Sequence, residues 1–538
     1  MCSIRLWLYT LVGLLIASHV VADDLLPPEH SVEQAIDHYV GARLKSEQVT
    51  PAAEASAQVL RRRTMLDLVG RIPTAAESKG GLDGAQRVAL VDQLMSTPAF
   101  DRHQADEFDA MLMHDVGDSL RDYLRQAFQA KRPWNEIFKD VIVGEPEDAK
   151  QQGAIKYVRS RVGDLDKLAN KVSSDFFGVN VSCARCHDHP EAAEWTQAHF
   201  FGMKSFFNRT FDNGGLIGER SYGLVEYKTT AGESRTAKLM FLTGAVVEEP
   251  EPKSLTDAEK KAEKKKLEEL KKKKEAPPAP EFSRRAQLID VALRTGDSDY
   301  FAKSLVNQVW ARLLGRGLVN PLDQMHPENP PSHPQLMNWL ARDVQSHNYD
   351  IRRLIRGIVL SRAYARSSRW DSAAERPEDE LFAVGSVRPL SPLQYATSLK
   401  LAGYHPAHLQ GEQVGEEERA KRLDQIHAGA RGLSNKFEMP GEGFQVGVTE
   451  ALLFSNSDQI RKEIMRESGD SLIAHLKTLD DNNQLVEALM QNIHGRTPDA
   501  EERAALVAYL KSREDRRDKA CKQLVWALLT SSELRFNY

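Results

Sequence analysis

Cysteine is scarce in this chain of 538 residues, which contains only four. An exported protein that relied on a disulfide framework would be expected to carry more of them, in even number. Cys521 lies in an amphipathic helical pattern and is predicted to be a buried small hydrophobe. The chain is long enough to be stabilised by ordinary apolar cores, and its length indicates two or three domains.

Long apolar runs are also rare. The run from Leu6 to Ala17 is shorter than the about 20 residues that a membrane span needs, and nothing later in the chain approaches that length. Arg5 precedes this run, and the small residues 20–22 follow it. This order predicts a signal peptide over residues 1–22, and cleavage of that peptide would remove Cys2. It also predicts a secreted or periplasmic location and no integral membrane span after cleavage. An uncleaved N-terminal anchor is the alternative.

The sequence has no excess of basic charge and no common catalytic motif. Its formal net charge is −5, which argues against a nucleic-acid partner. It contains no Gly-rich nucleotide loop, no H-E-x-x-H and no G-x-S-x-G. No catalytic residue is therefore predicted.

Most of the chain has the apolar period of helices. Apolar residues recur at three- and four-residue spacing between Pro and Gly, most clearly over 59–69, 87–95, 301–314, 334–344 and 354–364. Residues 214–247 are instead rich in β-branched and aromatic side chains, which predicts a hairpin or small sheet. The predicted fold class is mainly α, with two helical domains and this small β element at the end of the first.

A charged segment divides the sequence. Residues 253–275 contain ten Lys and six Asp or Glu, and residues 276–280 read APPAP. This composition predicts a solvated helix followed by a stiff spacer, with a basic tether for an acidic surface as the alternative. The predicted linker is 253–280, between domains at 23–252 and 281–538.

The most informative feature is the phrase Cys183-Ala184-Arg185-Cys186-His187, a C-x-x-C-H. This is the pattern by which haem c is attached covalently. Two thiols at this spacing can each add to a haem vinyl group, and His187 is placed to be the proximal iron ligand. We predict that Cys183, Cys186 and His187 bind haem c.

The second axial iron ligand is left open between Met203 and His199. A Met/His pair would raise the reduction potential, and a bis-His iron would have a lower one. His189 is too close to His187 in sequence to reach the opposite face of a haem, so a structural hydrogen bond is expected of it.

Zinc, a disulfide and a redox-active dithiol are the alternatives to haem at this motif. Zinc could bind Cys183 and Cys186 together with one or two of His187, His189 and His199. A thioredoxin-like dithiol is disfavoured because no βαβ pattern surrounds the motif.

A Pro-rich turn in the second half carries a further group of polar residues: Asp323, His326, Asn329 and His333. A metal or catalytic site is one interpretation. The favoured one is that these side chains satisfy backbone groups of the turn, as Asx and Ser side chains commonly do.

Residues 176–190, with Trp195 and the Phe-rich segment behind it, closely resemble the planctomycete cytochrome-like domain of unassigned function (PSCyt2 type). The second half resembles its usual companion, the C-terminal planctomycete domain of unknown function (PSD1 type). The resemblance covers nearly the whole mature chain, and its remaining segments are 60–73, 307–319, 329–340, 350–364, 388–392 and 524–534. It implies haem attachment at Cys183, Cys186 and His187 and gives no agreed distal ligand.

Together these observations predict an exported, c-type cytochrome-like protein with one covalent haem, more an electron carrier than a catalyst, that acts with a redox partner protein of unknown identity. Two alternatives remain: a zinc- or disulfide-clamped structural or binding protein, and a haem enzyme with an open sixth iron position. The role of the second domain is not readable from its sequence.

Overall fold

The computed structural model describes residues 25–538 except 146–147, 149, 191, 193, 252–254, 295–298, 410–413 and 441–447. The predicted signal peptide, residues 1–22, lies outside the described residues, and so do the first two residues of the predicted linker. Just over half of the chain is helical, and strands occur only in short pairs. The predicted mainly α fold class is confirmed.

The first half contains nine helices among its described residues before the β hairpins begin. They are α1 (Val32–Ser46), α2 (Ala57–Val69), α3 (Gly84–Met95), α4 (Pro98–Met113), α5 (Arg121–Gln129), α6 (Trp134–Ile142), α7 (Lys156–Arg159), α8 (Leu165–Phe177) and α9 (Gln197–Ser205). Side chains cap their ends in the expected way: Ser56, Asp83 and Thr97 accept hydrogen bonds from the first turns of α2, α3 and α4.

The predicted β element is present as three separate antiparallel hairpins. β1 (Thr210–Asp212) pairs with β2 (Ile217–Glu219), β3 (Glu226–Lys228) with β4 (Ser234–Thr236), and β5 (Leu239–Met240) with β6 (Val246–Val247). The predicted solvated helix follows as α10 (Asp257–Lys273), which buries no residue. Two hydrogen bonds join it to the hairpin region: Tyr222 donates to Glu263, and Asn213 donates to the carbonyl of Leu267.

Among its described residues, the second half consists of helices and their connections with one strand pair, β7 (Arg388–Pro389) with β8 (Phe536–Asn537). Its helices are α11 (Arg284–Ala292), α12 (Tyr300–Leu314), α13 (Pro334–Ser346), α14 (Ile351–Leu360), α15 (Arg362–Ala365), α16 (Pro392–Ala402), α17 (Glu416–Ser434), α18 (Val448–Asn456), α19 (Asp458–Ile464), α20 (Leu472–Lys477), α21 (Asn482–Ile493), α22 (Ala500–Lys511), α23 (Arg517–Leu529) and α24 (Ser532–Arg535). None of the described helices is long and apolar enough to cross a membrane.

Buried apolar side chains form two large clusters. The first draws on residues from Val32 to Ala383, so α11–α15 share a core with the helices of the first half. The second draws mainly on residues from Leu390 to Leu534 and also includes Leu66 and Ile72 from the first half. The charged segment at α10 therefore does not separate these two cores.

Candidate haem-attachment site

The motif follows directly from the end of α8. Gly178 ends this helix in the left-handed conformation, with φ of 67°, which a residue with a Cβ rarely adopts. Its N–H donates to the carbonyl of Ser174, and the N–H of Val179 donates to that of Ser173. This ending closes α8 and directs the chain into an extended stretch ahead of the first cysteine.

The extended stretch pairs with the Pro-rich turn of the second half. The N–H of Asn180 donates to the carbonyl of Asp323 at 2.7 Å, and the N–H of Met325 donates to the carbonyl of Gly178 at 2.9 Å. The Asn180 side chain also donates from Nδ2 to Oδ2 of Asp323 at 2.9 Å. Residues from the two halves of the chain thus hold the backbone immediately before the motif.

The cysteines lie on a short 3₁₀ helix, Ser182–Arg185, and the residue that follows it. Oδ1 of Asn180 accepts hydrogen bonds from the N–H and the hydroxyl of Ser182, which starts this turn. Ala184 is fully buried and anchors the turn in the first core cluster. Cys183 and Cys186 are both exposed and not joined in a disulfide.

His187 is exposed, and its ring is oriented by the neighbouring backbone. Its Nδ1 lies 2.7 Å from the carbonyl oxygen of Asp188. Because a carbonyl can only accept a hydrogen bond, Nδ1 carries a proton, and Nε2 is the nitrogen that can bind a metal when the ring is neutral. Nε2 makes no hydrogen bond with any residue that the structure describes. A histidine that binds a metal through one ring nitrogen commonly donates a hydrogen bond from the other to a group such as a backbone carbonyl.

His199 and Met203 lie on α9, which packs against the 3₁₀ helix of the motif. Nδ1 of His199 accepts a hydrogen bond from the N–H of Thr196 and so caps α9. Burial lowers the pKa of His199, so its ring is neutral near pH 7 and carries its proton on Nε2. Met203 is fully buried within the first core cluster.

A buried aromatic group lies beside the motif. The rings of His189, Trp195 and His326 approach one another with centroids 5.5 to 6.0 Å apart, and Tyr300 is 6.4 Å from Trp195. The N–H of His189 donates to the carbonyl of Trp195 at 2.8 Å. The structural hydrogen bond that the sequence indicated for the His189 side chain stays a prediction.

The donor set of the motif is compatible with a covalently attached haem. In the described residues, no group of three or more His, Cys, Asp or Glu side chains is placed to hold a metal ion. A tetrahedral zinc site needs three or four such ligands, whereas a haem attached through thioethers needs one or two axial ligands from the protein. The two free thiols and the available Nε2 of His187 fit the haem requirement.

Two families match the chain. The first is described as "PSCyt2: Protein of unknown function (DUF1549)" and matches residues 35–212. The second is described as "PSD1: Protein of unknown function (DUF1553)" and matches residues 284–438. The chain contains a PSCyt2 domain followed by a PSD1 domain. The resemblance seen in the sequence is confirmed, and neither description assigns a function. No curated protein and no solved structure matches the chain.

Sequence reasoning missed the contribution of the PSD1 domain to the motif, which lies in the PSCyt2 domain. His326 stood out only as one polar residue of a turn, yet it packs against His189, and Asp323 holds the stretch before Cys183. Asn329 fulfils the favoured interpretation, because its side chain donates to the carbonyls of Asn320 and Gln324. No local sequence pattern indicates the contact between the motif and this turn, because the residues that form it are far apart in the chain.

Proposed function

We propose that this protein is an exported, c-type cytochrome-like electron carrier with one covalent haem. Cys183 and Cys186 would hold the haem through thioethers, and His187 would bind its iron. The observation that carries the proposal is the state of these three side chains: two exposed, unbridged thiols beside an imidazole with an available Nε2. The bound haem supplies the one-electron chemistry.

The polypeptide around the motif supplies orientation. The hydrogen bond to the Asp188 carbonyl holds the tautomer of His187 in which Nε2 can bind iron. The pairing of Asn180 with Asp323 keeps the two thiols at the surface, where a haem can reach them. An oxidising, exported location is consistent with the predicted signal peptide over residues 1–22.

Met203 is the better candidate for the distal ligand. His199 would have to move its proton to Nδ1 before Nε2 could bind iron, and α9 would lose one of the two hydrogen bonds of its capping box. The thioether of Met203 has no proton to lose and makes no hydrogen bond in the described part of the chain. A Met/His iron would have a raised potential, as suits an electron carrier.

The test is a visible spectrum of the mature protein made in a host that matures c-type cytochromes, recorded before and after acid–acetone extraction. We expect a Soret band that stays with the polypeptide and is lost in the double variant Cys183→Ala/Cys186→Ala. Cys521→Ala is the matched control, because this buried thiol lies outside the motif and its loss should leave the band intact. A colourless wild-type protein from a competent host contradicts the proposal.

Two further variants identify the distal ligand. Met203→His is expected to lower the reduction potential if Met203 binds iron, because the pair becomes bis-His. His199→Gln should leave the potential nearly unchanged. Rapid binding of an added small ligand such as cyanide by the wild type would instead indicate an open sixth position and favour a haem enzyme over a carrier.

A further inference from the structure

A second polar site lies away from the motif, in a cavity of about 290 Å³. This volume is close to the lower end of the range for small-molecule sites, about 300 to 1,000 Å³. The cavity is bordered by α2, α4, α12 and the start of α16. The polar side chains that line it and carry the argument are those of Asp67, His103, Glu107, Arg312, Arg388 and Ser391.

On one wall of the cavity, the charges of Asp67 and Arg388 neutralise each other. Oδ2 of Asp67 accepts hydrogen bonds from the Tyr364 hydroxyl and from Nη2 of Arg388, each at 2.7 Å. Oδ1 of Asp67 accepts a third, from Nδ2 of Asn537 at 3.1 Å. The charge of Arg388 is therefore balanced by Asp67, and the pair forms a fixed surface.

Arg312 has no carboxylate at ion-pair distance among the described residues, although the charges of Glu107 and Asp67 act on it from farther away. Its Nη2 donates to the side-chain carbonyl of Gln104 at 2.6 Å, and its guanidinium lies 5.2 Å from the ring centroid of Phe108. Neither partner is charged, and within the described ranges Arg312 forms no ion pair. A half-buried guanidinium without a carboxylate partner is costly in a cavity that partly excludes water. An anion bound there would remove this cost.

Glu107 lies across the same cavity with one oxygen unused. Its Oε1 accepts a hydrogen bond from the Ser391 hydroxyl at 3.2 Å and is 3.9 Å from Nδ1 of His103. Its Oε2 has no hydrogen bond from any described residue. Burial raises the pKa of Glu107, and burial together with the charge of Arg312 lowers the pKa of His103 to about 3, so His103 is neutral. No histidine charge competes with Arg312 for an anion.

We propose that this cavity binds a small monocarboxylate that also carries a hydroxyl group. The carboxylate pairs with Arg312, and the hydroxyl forms a hydrogen bond with Oε2 of Glu107. A dianion such as phosphate fits less well, because Arg312 offers one positive charge and Glu107 lines the same space. The proposal does not depend on haem attachment, since none of the motif residues lines this cavity.

Calorimetric titration of the mature protein with lactate tests the proposal. We expect saturable binding that Arg312→Gln weakens at least about tenfold, as the loss of a charge-assisted bond predicts, and that Arg312→Lys partly restores. Arg316→Gln is the matched control, because this residue follows the same helix and does not line the cavity. Propionate, which lacks the hydroxyl, and inorganic phosphate are both expected to bind more weakly than lactate.

A measurement on the wild type avoids any folding defect of the variants. Met439 lines the cavity and is exposed, so its ¹³C-labelled methyl resonance, assigned with Met439→Leu, is expected to shift on titration with lactate. Met203 is buried elsewhere and should not respond. Absence of saturable lactate binding, equal affinity in Arg312→Gln, or binding of phosphate or propionate as tight as that of lactate overturns the proposal.

Discussion

The ion pair of Arg71 and Glu77 gives a stability prediction that can be worked from the structure. The two Glu77 oxygens each accept a hydrogen bond from Arg71 at 2.8 Å, and Oε2 also accepts one from the N–H of Thr74. Burial alone would raise the pKa of Glu77, but the charge of Arg71 and these hydrogen bonds outweigh it and lower the pKa from 4.5 to about 2. These hydrogen bonds hold a turn that packs against α16. The N–H of Ile72 in this turn donates to the hydroxyl of Ser398 in α16.

Lowering the pKa from 4.5 to about 2 corresponds to about 3 to 4 kcal/mol of stability, at about 1.4 kcal/mol per pKa unit. Because a quarter of the Glu77 side chain is exposed, we expect Glu77→Gln to cost about 2 to 3 kcal/mol near pH 7. The contribution is present above the unfolded pKa of 4.5 and is lost as the pH falls through the folded pKa of about 2. Urea unfolding followed by circular dichroism measures the difference between the two proteins at each pH.

Glu233→Gln is the control, since Glu233 pairs with Arg235 at the surface with both side chains more than half exposed. Such exposed pairs contribute little to stability, because water screens them. The reasoning fails if Glu77→Gln costs no more than Glu233→Gln near pH 7, or if the cost of Glu77→Gln is as large near pH 2 as near pH 7.

Three further predictions concern packing, thiol reactivity and the support of the motif. A Cβ at Gly357 in α14 would collide with Val32, so Gly357→Ala is expected to lower the free energy of unfolding by about 1 to 3 kcal/mol in thermal unfolding. The Cβ of Gly41→Ala meets no atom within 4 Å, so this control should be neutral or stabilising, and equal changes in the two variants would contradict the prediction. In protein made without haem, iodoacetamide at about pH 8 should label the two exposed motif thiols and spare Cys521, because burial raises the pKa of Cys521 to about 11. Labelling of Cys521 in the folded protein would contradict this. Asn180→Ala removes the side-chain bond to the opposite turn, and limited proteolysis at the motif should become faster; an unchanged cleavage rate would show that the backbone pairing suffices.

Helices were predictable because their signals are local. The apolar period found α2, α3, α12 and α13 to within a few residues of their bounds. The predicted helix over 354–364 is divided at Ser361, whose extended backbone ends α14 and whose hydroxyl caps α15. A Ser within an apolar period fits either arrangement, and only packing decides between them. The β-rich stretch was found, but not its division into three hairpins.

The motif and its thiols were predictable for the same reason, and their surroundings were not. Burial of Cys521 follows from its helical pattern and is confirmed at 2% exposed. The contact of His189 with His326 and the convergence of Asp67, Glu107 and Arg312 on one cavity depend on helix packing between distant segments. No spacing rule relates such residues, because tertiary structure alone brings them together.

The backbone pairing of Gly178 and Asn180 with the Pro-rich turn has a consequence for the order of events in synthesis. Asp323 follows Cys186 by well over a hundred residues. At about 5 to 20 residues per second, synthesis leaves an interval of roughly 7 to 30 seconds in which the motif exists and the turn that holds it does not. During this interval none of the hydrogen bonds from the Pro-rich turn can hold the motif, so any machinery that acts on the two thiols then meets a peptide that lacks this support.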